Sequence, residues 1–314
     1  MEIVVAGGMT LTVHVIETLC KLGVKPAMVI GYPQVLSHRS NFASLESVSN
    51  KYSLTYFEVA DINSLKVGRS LSRLSPDWLI VAGWSQIIKE TYLSIPRKGV
   101  LGFHMSKLPE GRGRAPVAWT LIKGLPKASV TLQWLGAGVD DGDIAVQRSI
   151  DLSVTDDAAT LVPKINLLAG DILESALPLM MNDSLPRVAQ DSAKATYWPK
   201  RSPSDGRIDW DRPVEILYNF IRGLTPPFPG AFSFCEGDKW IVCASGILKA
   251  RHEYPSGLIV GPYFAHGPTK DHGLVVAAKG GFLIFRELID GKGEVQKGER
   301  LVKIAEEFKG TALR

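Results

Sequence analysis

Two side chains in this 314-residue sequence have the types and settings for acid–base chemistry. His104 lies in Gly102-Phe103-His104-Met105-Ser106-Lys107-Leu108-Pro109, directly after an apolar run. A histidine can exchange a proton near neutral pH. Asp140 lies in a second tight turn, Gly138-Val139-Asp140-Asp141-Gly142-Asp143. A carboxylate placed there can fix an imidazole and stabilise its cation, and such a pair suits acid–base work on a polar substrate. Nearby, Ser106 offers a hydroxyl, and the loop from Leu108 to Pro116 carries Arg112 and Arg114, two guanidiniums suited to an anion or a carboxylate. The acidic turn also reads as ordinary turn chemistry. No Glu closes a loop of EF-hand length, and no Cys/His spacing resembles a zinc site, so no metal is expected.

The elements that must position these residues can be read from periodicity. Ile3–Ala6 reads as a buried strand, Gly7-Gly8 as a turn, Leu11–Leu22 as a helix stopped by Gly23, and Ala27–Ile30 as a second strand. That is a βαβ unit. Leu45–Tyr52 looks helical and Leu54–Val59 strand-like. Trp78–Ala82 and Val100–Phe103 are short apolar runs of the kind buried on both faces of a sheet. His104 then falls at the carboxyl end of a strand, where open α/β sheets bind ligands. Pro116 suits the first turn of a helix over Val117–Lys123. Ser129–Trp134 is a strand with Asp140 in the turn after it. Asp157–Met181 is a long helix with Asp156 or Asp157 near its start.

Composition changes over Trp198–Gly206, which sets a boundary between residues 1–202 and 203–314. Beyond it come a helix over Val214–Leu224, a break at Pro226-Pro227-Phe228-Pro229-Gly230, and short β segments at Ala231–Phe234, Trp240–Ala244, Gly273–Ala278 and Gly281–Glu287. That pattern predicts a small antiparallel barrel. Trp240, Tyr254, Tyr263 and Phe264 can serve its core or a contact surface. The predicted class is α/β: a Rossmann-like, mostly parallel sheet with helices on both faces, then an OB-like antiparallel β-barrel domain. Gly7-Gly8 lacks the G-x-G-x-x-G spacing, so neither NAD nor an ATP cradle is expected.

Composition narrows the function classes. Forty-five per cent hydrophobic residues exclude a disordered chain. The net charge is +4, with 15 Lys/Arg against 14 Asp/Glu in residues 203–314, so neither part has the bulk charge of a polyanion-binding surface. Cys20, Cys235 and Cys243 are too few and too scattered for a disulfide framework and fit a reducing compartment. His252, His266 and His272 lie in a turn-rich region and read as surface loop residues. No apolar stretch is long enough to span a bilayer and the start lacks a signal peptide's basic region, so a cytoplasmic protein is expected.

Three stretches together resemble the formyltransferase family that uses 10-formyltetrahydrofolate: His104-Met105-Ser106-Lys107-Leu108-Pro109, Arg112-Gly113-Arg114-Ala115-Pro116, and Val139-Asp140-Asp141-Gly142-Asp143-Ile144. Arg207-Ile208-Asp209-Trp210, Ile221-Arg222 and Pro229-Gly230-Ala231-Phe232 are similar to that family's C-terminal domain. The resemblance is nearest to sugar-nucleotide N-formyltransferases, including the UDP-4-amino-arabinose type. Methionyl-tRNA formyltransferase shares the architecture.

The resemblance implies a catalytic set of Asn, His and Asp. His104 and Asp140 match two of these, and Gly102 stands where the Asn belongs. A backbone N–H or Ser106 is then expected to substitute. Folate contacts carry over to Gln86, Ile87, Ile88, Arg114, Gly136, Ala137, Gly138, Val139 and Asp140, mostly through backbone. Arg201 and Arg222 are candidates for substrate phosphate, with ordinary surface charge as the alternative.

In the tRNA enzymes of the family, a basic inserted loop reaches the acceptor stem. Here Gly31–Asn50 has only His38 and Arg39 as basic residues. The expected reaction is therefore formyl transfer from 10-formyltetrahydrofolate to an amino sugar on a nucleotide carrier, of the kind used in lipopolysaccharide or O-antigen synthesis. It would proceed without nucleic acid, membrane or metal, in a homodimer. Methionyl-tRNA formylation is the alternative. A folate or nucleotide-sugar binding protein impaired by Gly102 is a further one.

Overall fold

The computed structural model describes residues 1–37, 41–264 and 272–314; His38, Arg39 and His266 lie outside the described residues. The chain packs as two compact units. One comprises residues 1–116, 127–152 and 161–200, and the other residues 117–126, 153–160 and 201–314.

Up to residue 200 the elements are β1 (Ile3–Gly7), α1 (Thr10–Lys21), β2 (Met28–Gly31), α2 (Glu46–Tyr52), β3 (Tyr56–Glu58), α3 (Leu65–Leu74), β4 (Trp78–Ala82), the short α4 (Glu90–Leu93), β5 (Gly99–His104), β6 (Arg112–Gly113), α5 (Pro116–Ile122), β7 (Lys127–Trp134), β8 (Ile144–Asp151), α6 (Ala158–Met181) and β9 (Tyr197–Trp198). Seven strands form one sheet in the order β3-β2-β1-β4-β5-β7-β8. Neighbours from β3 to β5 run parallel, and β7 and β8 join antiparallel. β1, β2 and β4 are buried along their whole length, as their unbroken apolar runs require.

Val4 and Ala6 share a core with Val67 and Leu71 of α3. The buried residues of α1 (Leu11, Val15, Ile16 and Leu19) lie outside that core, and α1 packs on β1 and β4 from the other face. Helices therefore cover both faces. Strand order reverses at β1, which has β2 on one side and β4 on the other. Such a switch opens a crevice at the carboxyl ends of the strands.

The second unit carries α7 (Val214–Arg222), β10 (Ala231–Cys235), β11 (Asp238–Leu248), β12 (Ile259–Tyr263), β13 (Gly273–Ala278), β14 (Gly281–Ile289), β15 (Val295–Lys297) and α8 (Glu299–Glu307). Its antiparallel sheet runs β10-β11-β14-β13-β12, with β15 also on β14. β10 and β11 meet through Glu236-Gly237, both at positive φ, the backbone a two-residue hairpin requires. Val276, Leu283 and Phe285 are fully buried in this sheet, and α8 lays Leu301 and Ala305 against β12 and β13. Among the described residues no ladder joins β10 to β12, so the barrel expected from the turn spacing takes the form of an open antiparallel sheet. Trp240 is core, whereas Tyr254 and Phe264 are exposed. His252 is half-buried rather than on the surface: its Nε2 sits 2.9 Å from the Ala278 carbonyl and 2.7 Å from that of Gly281.

Candidate active site

His104 is the last residue of β5, and strand pairing sets its surroundings. On the antiparallel neighbour β7, Gln133 lies opposite Gly102 and Thr131 opposite His104, so these four residues share one face. The imidazole is only 6 % exposed. Its Nε2 is 2.8 Å from the Gly111 carbonyl, which can only accept, so Nε2 carries the hydrogen and donates. That assignment leaves Nδ1 as the nitrogen that gains and loses a proton. Nδ1 is 3.5 Å from Asp140 Oδ1. The gap is longer than the roughly 2.7–2.9 Å of a direct charge-assisted bond, so Asp140 acts on the ring through its charge while Nδ1 can still serve a ligand atom.

Asp140 is held from three sides. Gln133 Nε2 donates to Oδ1 at 3.0 Å, the Gly113 amide donates to Oδ2 at 2.9 Å, and Gln190 Nε2 donates to the Asp140 carbonyl at 2.9 Å. The residue sits at φ 51°, in the left-handed region, a conformation that persists where surrounding structure enforces it. Two residues on, a Cβ at Gly142 would lie 1.7 Å from the Trp134 carbonyl, so only glycine lets this turn close.

The loop behind His104 is equally constrained. Ser106 donates to the Glu110 carbonyl at 2.7 Å, and Thr131 donates to the Ser106 carbonyl at 2.8 Å. The Gly111 amide donates to Thr196 Oγ1 at 2.8 Å, while β6 and β9 pair in register, Gly113 with Trp198. Ser106 is thus buried and committed to the loop, which corrects its expected role as a substitute for the missing carboxamide.

His104 and Asp140 open into a cavity of about 220 Å³ at the carboxyl ends of β4 and β5. Gln86, Ile87, Ile88, Arg114, Gly136, Gly138 and Val139 line it as the sequence reading expects, and Ala137 does not. The Gln86 side chain is spent internally: Oε1 accepts from the Ile62 amide and from Trp84 Nε1, each at 3.0 Å, and Nε2 donates to the Ala60 carbonyl. Any ligand contact at this position therefore runs through its backbone. Ile88 is buried and Ile87 is 59 % exposed. Arg114 donates to the Ser85 carbonyl at the cavity wall. Arg112, by contrast, is buried and donates to Gln190 Oε1 and the Tyr197 hydroxyl, so one of the two guanidiniums of this loop supports the fold instead of the cavity.

The sequence reading missed several wall residues: Met9, Trp84, Gln133 and Leu135. Gln133 had a signal, as the one long polar side chain in an apolar strand. It is 1 % exposed, and among the described residues nothing hydrogen-bonds its Oε1. Leaving such an acceptor unpaired costs about 1–3 kcal/mol.

Arg201 and Arg222 belong to the second unit and are used within it. Arg222 is 7 % exposed, and burial pushes its guanidinium below the ordinary value. It donates to the Asp156 carbonyl at 2.7 Å, the Ser153 carbonyl at 3.3 Å and Asn219 Oδ1 at 2.8 Å. Arg201 lies 5.0 Å over the Trp119 ring and donates to the Asp205 carbonyl. Arg222→Ala is expected to lower stability by about 2–4 kcal/mol in urea unfolding and to leave substrate KM within about twofold. A raised KM at unchanged stability would return Arg222 to substrate binding.

Residues 1–177 match the formyl transferase family and residues 200–305 match the formyl transferase C-terminal domain. The chain belongs to the formyl transferase family. As a member it is a formyl-transferring enzyme.

This formyl transferase is 33 % identical over 245 residues to the bifunctional polymyxin resistance protein ArnA of Wigglesworthia glossinidia brevipalpis, matching 78 % of its own length but 38 % of that relative's. It is 30 % identical over 255 residues to methionyl-tRNA formyltransferase of Geotalea uraniireducens, covering 81 % of this chain and 78 % of that one. Its fold matches that of an N-formyltransferase from Helicobacter canadensis, solved in complex with folinic acid and dTDP-3-aminofucose, at TM-score 0.67 and 16 % identity over 91 % of this chain and 98 % of that one. Among the described residues no group of three His, Cys, Asp or Glu is placed to hold a metal ion, and no helix is long and apolar enough to cross a membrane.

Proposed function

We propose that this formyl transferase moves a formyl group from 10-formyltetrahydrofolate to the primary amine of a nucleotide-linked amino sugar. The observation that carries the chemistry is the His104–Asp140 pair in the cavity, with Nε2 fixed as a donor and Nδ1 turned toward the carboxylate. The walls suit a flat, largely apolar donor with a polar reacting end. Val81, Ile88, Leu93 and Phe103 supply apolar surface, and the polar groups His104, Asp140 and Gln133 converge at one place.

Residues 83–88 and 136–140 would hold the donor, mainly through backbone. Bound there, 10-formyltetrahydrofolate supplies a formyl carbon whose bond to N10 breaks as the bond to the acceptor nitrogen forms. His104 donates from Nδ1–H to the formyl oxygen as negative charge develops on it. Asp140 stabilises the protonated imidazole and takes the proton shed by the attacking amine, which it passes to N10 as that nitrogen leaves on collapse. His104 stays oriented throughout because Gly111 anchors the ring's far side.

The charge balance supports a nucleotide sugar over RNA. A tRNA ligand needs several phosphate contacts, and the C-terminal region, residues 203–314, carries 15 basic against 14 acidic residues. The match to methionyl-tRNA formyltransferase over 78 % of that protein keeps the tRNA reading as the second one. A panel of dTDP- and UDP-linked 3-amino and 4-amino sugars, set beside methionyl-tRNA, tests the proposal with 10-formyltetrahydrofolate as donor. Formylation of a nucleotide sugar is the expected result. Formylation of methionyl-tRNA alone, falling steeply with added salt, would replace it.

A further inference from the structure

The catalytic set implied by the family resemblance has a carboxamide two residues before the histidine, and this chain has Gly102 there. The space that such a side chain would enter is occupied. A Cβ on Gly102 would lie 2.5 Å from Leu135 Cδ2 and 2.9 Å from Leu135 Cγ, and Leu135 is half-buried, packed against the core and lining the cavity. A different carboxamide reaches the same face from the neighbouring strand, since Gln133 is the direct cross-strand partner of Gly102.

Which way that amide points follows from chemistry. A carboxylate oxygen only accepts, so the Gln133 atom 3.0 Å from Asp140 Oδ1 is the amide nitrogen. The amide oxygen must then face away from Asp140. It is buried, Gln133 lines the cavity, and among the described residues nothing donates to it. A buried acceptor is ordinarily paired, and one without a donor, on a residue that lines the cavity beside an acid–base pair, is explained by a donor that arrives with the substrate.

We propose that Gln133 orients the acceptor: its Oε1 takes a hydrogen bond from the attacking amine while its Nε2 stays on Asp140. The inference rests on the formyl-transfer reading above. It also explains a preference within amines. A neutral primary amine has two N–H groups, one to give up during transfer and one to leave on Gln133. A secondary amine has a single N–H, which the reaction consumes, so Oε1 would lose its partner in the transition state. A site built around a polar partner discriminates strongly against the analogue that lacks it.

The test compares a dTDP-linked 3-amino sugar with its N-methyl counterpart, using wild type, Gln133→Met and Gln133→Glu. Wild type is expected to favour the primary amine in kcat/KM by about 100-fold or more. Gln133→Met, close in shape but without the acceptor oxygen, is expected to lower that preference by about tenfold or more and to lower kcat with the primary amine, leaving folinic acid affinity within about threefold. Gln133→Glu keeps an oxygen on the acceptor side and is expected to retain the preference even though it loses its donor to Asp140. A merely structural glutamine would change thermal stability and leave the preference as it was.

Wild type that formylates the two amines within about threefold of each other overturns the inference, whatever the variants do, as does an unchanged preference in Gln133→Met. Wild type that formylates no primary amine of the sugar panel above defeats the amino-sugar reading itself, and the proposal for Gln133 falls with it.

Discussion

Replacing His104 with alanine is expected to lower kcat by about 10²–10⁴-fold with the fold retained. The loss follows from the ring's geometry. Nε2–H is committed to Gly111, so Nδ1–H is the donor for the formyl oxygen, and neither Ser106 nor Arg114 can take its place: Ser106 is bound to Glu110, and Arg114 to Ser85. The structural cost is the unpaired Gly111 carbonyl, about 1–3 kcal/mol. Asp140→Asn is expected to fall in the same range for a different reason. The carboxylate accepts from Gln133 on Oδ1 and from Gly113 on Oδ2, and an amide presents only one accepting atom. One of the two donors is displaced, and the negative charge that faces the imidazole is gone. Single-turnover rates alongside folinic acid affinity read this directly: chemistry collapses while donor binding holds within about threefold. Either variant keeping half of wild-type kcat would remove the pair from the mechanism.

Gly102→Asn is expected to lower both stability and activity, although it writes back the side chain that the family resemblance implies. The new Cβ enters the space of the Leu135 side chain, and overpacking of this kind costs about 1–3 kcal/mol. Leu135 packs against the core that holds Val81 and Val100 and also lines the cavity, so it yields only by re-packing there or by moving into the space the substrates use. Leu135→Ala in the same chain is expected to recover most of the stability by vacating that volume. Urea unfolding of the single and double variants measures the coupling. A Gly102→Asn enzyme as stable as wild type and faster would show that the glycine is a simple lesion and that Leu135 does not fill its place.

What the sequence shows of this protein divides along physical lines. β1 and β4 are legible because they are buried on both faces and read as unbroken apolar runs. β8 escapes notice because Arg148, Ser149 and Asp151 are exposed and only Ala145 of that outer strand is buried. α3 hides because only Val67 and Leu71 of its ten residues are buried, with Gly68 between them. β12 carries Gly261 and Pro262, which argue against a strand in any local reading.

In the site, His104 and Asp140 stand out because one ends an apolar strand and the other lies in the tight turn after the next. Gln133 shows in one dimension only as a polar side chain in an apolar strand, since its meaning comes from a cross-strand neighbour and from the orientation imposed by a carboxylate. Arg222 misleads for the complementary reason. A charge on a short helix looks like surface until the carbonyls of residues 153 and 156 are seen to close around it.

The segment after α6 changes how this enzyme can be taken apart. Gln190 ties the Asp140 and Gly142 carbonyls, Thr196 takes the Gly111 amide, Tyr197 receives Arg112, and Trp198 runs alongside Gly113. These residues are therefore a strap that ties down both reacting loops. A fragment or chimera cut at the end of the long helix would keep His104 and Asp140 and lose what holds their loops still, so any such cut belongs beyond Trp198.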